Sequence, residues 1–298
     1  MNSLIEQAAL RLEQLRQAGA DIPVSPPNVQ TTLAANATKD VPPEKPVAVS
    51  QWVEIDLDTL AAAGIVSPNA PRSQIADQFR VIKRPLIGNA AGKGAAVVAN
   101  GNLIMVTSAL PGEGKSFTAI NLAMSIATEM DLTVLLVDAD VGRPSVMKLL
   151  GLQAGQGLLD LLVDESKDLS EMLLKTNINK LSILPSGTPH ARATELLASE
   201  AMTRLLSDMA TRYRDRIIVF DSPPLLLTTE SRVLASHMGQ IVMVVQAEKT
   251  LQSDVLQAMA TIERCPVKLM LLNQARTSMS ASYEGGYGYA YGYRHQVA

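Results

Sequence analysis

The chain has 298 residues, 47% apolar and 18% charged, with a net charge of −3; that suffices for one α/β domain with an extension and excludes a basic nucleic-acid-binding face. A single cysteine, Cys265, excludes an internal disulfide, and three scattered histidines give no zinc-site spacing. No stretch reaches the roughly 18–20 apolar residues of a membrane span and no signal peptide is recognisable, so the expected location is cytoplasmic.

Residues 1–20 read as an amphipathic helix, with Leu4, Ala8, Leu12 and Leu15 on one face and a Ser3/Glu6 capping box. Residues 21–50 read as a linker, since prolines 23, 26, 27, 42, 43 and 46 and their small polar neighbours cannot form a core. A helical lead-in over 51–95 opens the main domain, 51–277. Its second helix, over 73–87, places Ile75, Phe79 and Ile82 on one face and projects Asp77, Arg80, Lys83 and Arg84 elsewhere. That charged face is either solvated or a subunit interface.

The main domain is organised around Leu103–Ser116, an apolar strand running into Ala-Leu-Pro-Gly-Glu-Gly-Lys-Ser and then into a helix. This is a P-loop signature with Ala109 in place of its first glycine. Leu110, Pro111, Gly112, Glu113, Gly114, Lys115, Ser116 and Phe117 are the expected nucleotide-binding residues. Gly112 and Gly114 let backbone N–H groups curl around phosphate at a helix N-terminus. Lys115 is expected on the β/γ-phosphates and Ser116 on Mg²⁺.

Strands are expected at 103–108, 133–138, 181–184, 216–220, 240–246 and 267–272, and helices at 114–129, 194–212 and 252–263. The alternation predicts an α/β fold, a P-loop NTPase-like, mostly parallel sheet with helices on both faces and ligands at the strands' carboxyl ends. Three strand ends carry candidate chemistry. Asp138 and Asp140 end the second strand, with Arg143 following; either acid suits Mg²⁺ or a proton, and either could merely cap the next helix. Asp221, after four apolar residues and before Ser222-Pro223-Pro224, fits a Walker B aspartate. Asn273 is either an adenine contact or a turn former. The last segment, 278–298, is Gly/Tyr-rich and expected to be flexible; it holds Tyr283, Tyr287, Tyr289, Tyr291 and Tyr293, five of the six tyrosines.

Together these motifs resemble the bacterial tyrosine kinases, and most closely their exosortase-associated, chain-length-determinant branch. The resemblance rests on Ser108–Ser116, on LLVDADVGRP as a second acidic Walker motif, on Asp221–Pro224 and on the tyrosine cluster. Asp77-x-x-Arg80-x-x-Lys83 takes the place of the family's Glu-x-x-Arg-x-x-Arg oligomerisation motif. The resemblance implies an ATP- and Mg²⁺-dependent protein-tyrosine autokinase, with Mg²⁺ held by Ser116, Asp138 and Asp221. Lys115, Asp138, Asp140 and Asp221 would be catalytic, and the five tail tyrosines phosphoacceptors in trans. It also implies a homo-oligomer, a transmembrane polysaccharide co-polymerase that activates the kinase and recruits it to the inner face of the membrane, a counteracting tyrosine phosphatase, and a role in exopolysaccharide chain length or export. The alternative is an ATPase switch of the MinD/ParA type; those proteins carry a signature lysine where Leu110 stands and lack a terminal tyrosine cluster.

Overall fold

The computed structural model describes residues 50–68, 73–94, 96–212 and 215–276. The expected N-terminal helix (1–20), all of the linker (21–50) but Ser50, and the tyrosine cluster (278–298) lie outside the described residues.

Most of the apolar runs become strands buried on both faces, as parallel strands under two helical layers must be, whereas the run over 267–273 forms a half-exposed edge strand with Met270 and Leu272 in solvent. β2 (Leu103–Ser108), β3 (Thr133–Asp138), β5 (Leu181–Leu184), β6 (Arg216–Asp221), β7 (Gln240–Gln246) and β8 (Val267–Asn273) fall where the sequence puts them. Two three-residue strands join them: β1 (Gln51–Val53) and β4 (Leu174–Thr176). The sheet order is β1-β4-β5-β3-β6-β2-β7-β8, parallel throughout except for β4 against β5. One face packs a cluster containing Leu103, Met105, Leu135, Phe220 and Met243; the other packs one containing Ile104, Val106, Leu136, Val219 and Val244.

The lead-in comprises α1 (Leu57–Ala62) and α2 (Gln74–Ala90). It is fastened to the sheet domain by buried hydrogen bonds. Asn177 brackets Ile55, accepting from its N–H at 3.0 Å and donating to its carbonyl at 2.9 Å. Asn121 Oδ1 accepts from the Val66 N–H at 2.7 Å. Gln240 Nε2 donates to the carbonyls of Leu86 and Gly101. The buried face of α2 is Phe79, Lys83 and Leu86, which corrects the expectation that Lys83 projects away from the core. Its Nζ donates to Ser125 O at 2.5 Å and Thr128 Oγ1 at 3.0 Å, and lies 2.7 Å from Glu129 Oε1. Those partners surround the C-terminus of α3 (Lys115–Ala127), where a cation also meets the negative end of the helix dipole.

The expected helix over 194–212 is two, α7 (Ala193–Leu197) and α8 (Glu200–Arg212). The Ser199 hydroxyl donates to Leu196 O and accepts from the Met202 N–H, closing one helix and opening the next. Between β3 and β4 lie α4 (Val146–Leu149), α5 (Leu158–Val163) and α6 (Leu169–Met172). α9 (Glu230–Ala235) and α10 (Gln252–Ala260) flank β7. Among the described residues, no helix is long and apolar enough to cross a membrane.

Candidate active site

Sheet register assembles the site. Asp138 on β3 is paired directly with Asp221 on β6, and Asp221 in turn with Val106 on β2, shortly before the P-loop begins. Both acids therefore end neighbouring strands at one level, beside the loop. In the loop, Gly112 has φ +85° and Gly114 φ +94°. At Gly114 the left-handed φ favours glycine, and a Cβ would force Asn273 Nδ2, 2.1 Å away, to give up its place.

Lys115 and Asp140 form a partly buried ion pair, Nζ to Oδ2 at 2.6 Å. Asp138 is fully buried; its Oδ2 accepts from the N–H groups of Ser145 at 3.2 Å and Val146 at 3.0 Å, capping α4, while Oδ1 has no partner. The capping role thus falls to Asp138. Burial raises the Asp138 carboxyl to about 6, partly offset by the Val146 N–H and reinforced by the Asp140 charge. Burial likewise raises Asp221 to about 7, against the pull of Lys115 and Ser116. Neither Asp221 oxygen has a hydrogen-bond partner of good geometry. The Ser116 and Ser145 hydroxyls are 2.8 Å apart.

Beside these groups opens a cleft of about 820 Å³, lined by Pro111, Gly112, Gly114, Lys115, Ser116, Phe117, Asp140 and Arg143 among others. Three residues expected to bind nucleotide point their side chains elsewhere. Glu113 is buried, accepting from the Leu110 N–H at 2.7 Å and from the Thr250 hydroxyl. Leu110 is held by that bond and by Ser108 Oγ, which donates to its carbonyl. Asn273 donates to Glu113 O at 2.9 Å, and its neighbour Gln274 to Gly112 O at 3.1 Å. These three brace the loop from outside. Thr250 belongs to the same brace, and no linear pattern announces it.

The site fits a magnesium–nucleotide. Buried carboxylate oxygens of Asp221 and Asp138 stand without partners near a serine hydroxyl, which is an arrangement that wants a cation. Two carboxylates beside a hydroxyl suit Mg²⁺, which takes one or two carboxylates and fills its remaining positions with water and phosphate oxygens. Asp77 and Arg80 are exposed and paired to each other on α2. Lys83, the third residue expected at a subunit interface, has its amine inside the fold. The five tail tyrosines lie outside the described residues.

A strand, a glycine loop on a helix N-terminus and two strand-ending aspartates at one level define a P-loop nucleotide-handling protein. Residues 101–274 match the AAA domain family. Tyrosine-protein kinase YwqD of Bacillus subtilis (strain 168) is 30% identical over 226 residues, 75% of this chain and 91% of that protein. Tyrosine-protein kinase ptk of Acinetobacter johnsonii is 32% identical over 187 residues, 62% of this chain but only 25% of that protein, so the chain spans about a quarter of this longer relative. The crystal structure of the chimerical protein CapA2B2 superposes with a TM-score of 0.62 at 26% identity, covering 77% of this chain and 95% of that one. The chain belongs to the bacterial tyrosine kinase family, protein-tyrosine kinases built on a P-loop fold.

Proposed function

We propose that the protein is an ATP-dependent tyrosine autokinase that modifies its own C-terminal tyrosines, Tyr283 to Tyr293, in trans between copies. The observation that carries this reading is the pair of buried, incompletely bonded carboxylates, Asp138 and Asp221, set in register beside the P-loop lysine. ATP and Mg²⁺ are the cofactors it calls for. Ser116 and Asp221 would hold the Mg²⁺, with Asp138 close by. Bound there, the ion neutralises charge on the phosphates.

In this reading Lys115 leaves Asp140 for the β/γ-phosphates when nucleotide enters, and that departure opens the path to the two buried acids. Asp138 Oδ1 accepts the phenolic proton. A phenol of pKa ~10 is protonated at neutral pH, and a carboxyl raised to about 6 is ionised there yet more basic than an ordinary aspartate. The segmentation is part of the same reading: helix 1–20 for docking, linker 21–50, kinase domain 51–277 and acceptor tail 278–298. So are a homo-oligomer, a transmembrane polysaccharide co-polymerase as activator at the inner face of the membrane, a tyrosine phosphatase that resets the tail, and control of exopolysaccharide chain length or export.

Intact-mass analysis after incubation with ATP and Mg²⁺ tests the proposal. Successive ~80 Da additions are expected. They disappear in Lys115→Met and in the full chain with all five tail tyrosines changed to Phe. ATP turnover without mass gain, with the activator's cytoplasmic segment present, would instead favour a hydrolytic switch.

A further inference from the structure

The cleft also has an apolar wall. Leu227 is 61% exposed and Leu149 42% exposed, and both line the cleft that Lys115 and Asp140 line. Each is presented rigidly. Leu227 follows Asp221 on a loop pinned to the P-loop strand: the Leu225 N–H donates to Ser108 O at 2.8 Å, the Leu226 N–H to Ala109 O at 3.2 Å, and Leu225 is fully buried. Leu149 ends α4, the helix whose first amides are held by Asp138. Each leucine therefore rides on an element fastened to one of the two acids.

The geometry points to a slot for the aromatic ring of the acceptor: Leu149 and Leu227 grip the incoming tyrosine and confer a preference for uncharged, small-residue flanks. This rests on the kinase reading above and names the substrate class of the same site. The occupant is the tail segment 283–293 of a second copy. Between Gly285 and Tyr293 that segment carries no charge, and from Tyr287 its tyrosines alternate with Gly288, Ala290 and Gly292. An apolar wall loses nothing by desolvating such neighbours, and their lack of bulk lets the backbone approach closely. The tail also departs from the right place. Gln274 is bonded to Gly112, itself a cleft residue. An extended chain from Arg276 reaches at most about 25 Å to Tyr283 and about 60 Å to Tyr293.

The test uses the full chain with its five tail tyrosines changed to Ser, which removes the competing acceptor, and a synthetic peptide of residues 281–293. Leu149→Ala and Leu227→Ala should each raise the peptide KM about ten-fold, with the effect falling on KM far more than on kcat, and Leu227→Met should restore it. A peptide with Glu in place of Gly288 and Ala290 should be a poor substrate for the enzyme with intact leucines, and that discrimination should shrink in Leu227→Ala. Both leucines are exposed, so truncation leaves the core intact. An unchanged peptide KM in the double variant overturns the slot and leaves the kinase standing. No transfer to any tyrosine by the protein with intact leucines overturns the kinase reading, and the slot with it.

Discussion

The Lys115 ammonium sits 2.6 Å from Asp140 Oδ2, so the cation expected to meet the phosphates is already paired in the free protein. Nucleotide must replace one anion with another at the same nitrogen. Asp140→Asn should therefore tighten magnesium-free ADP binding several-fold, while Lys115→Met should weaken it at least ten-fold. Calorimetric titration without divalent ions measures both. Equal affinities for Asp140→Asn and the unsubstituted protein would mean that the pair does not restrain the lysine.

The raised carboxyls of Asp138, about 6, and Asp221, about 7, fix a sign. Both bind protons more tightly folded than unfolded. The stability they contribute is full below about pH 4 and is lost as pH rises through 6 to 7. Asp221→Asn removes its share of that loss. The variant should be more stable than the unsubstituted protein by on the order of 1–3 kcal/mol at pH 8, with the gap closing by pH 4, and should transfer no phosphate. Denaturant titrations across that range, without nucleotide, decide it; a pH-independent difference would refute the assignment.

Lys83 and Glu129 form a largely buried pair, and the lysine holds the Glu129 carboxyl below its usual range. Removing the buried ammonium leaves the half-buried Glu129 with only Arg84 and takes a donor from Ser125 O and Thr128 Oγ1, so Lys83→Ala should cost about 1–3 kcal/mol. The pair's contribution is present above about pH 4.5 and lost as pH falls further. Arg80 is exposed and is the better candidate for contact between copies. Arg80→Glu should alter sedimentation with little change in stability, and Lys83→Ala should do the reverse.

The outer brace of the P-loop can be cut without touching the cleft lining. Thr250→Val removes the hydroxyl that donates to Glu113, leaving a buried acceptor unsatisfied. The KM for ATP should rise several-fold. Gly114→Ala is harsher, since it places alanine in a left-handed conformation and its Cβ displaces Asn273 Nδ2, and should weaken nucleotide binding ten-fold or more in a protein that still unfolds cooperatively.

The parts of the fold and site legible in the chain are those written locally. Apolar runs fixed six strands, and each acid stands at the end of its run, so sheet register brings Asp138 and Asp221 together. What escaped was written non-locally or too briefly. Strands of three residues, Gln51–Val53 and Leu174–Thr176, have no period to detect. Lys83 stands four residues after Phe79 and three before Leu86, on the buried stripe, but a lysine reads as solvated until its three partners at a helix C-terminus are known. Asn273, Glu113 and Thr250 meet only after the end of β8 and two loops converge. Leu227 is indistinguishable in sequence from the buried Leu225 two residues before it.

Lys83 also sets where this protein can be cut. The family match begins at Gly101, yet α2 supplies Phe79, Leu86 and the buried ammonium, and Gln51–Val53 completes one border of the sheet. A fragment starting at the match would bare the apolar flank of α3 and strand the Ser125 carbonyl and Glu129 without their cation. The smallest heritable piece of this enzyme is therefore larger than its recognisable signature, and any recombination that moves the nucleotide site to a new host must bring the preceding fifty residues along.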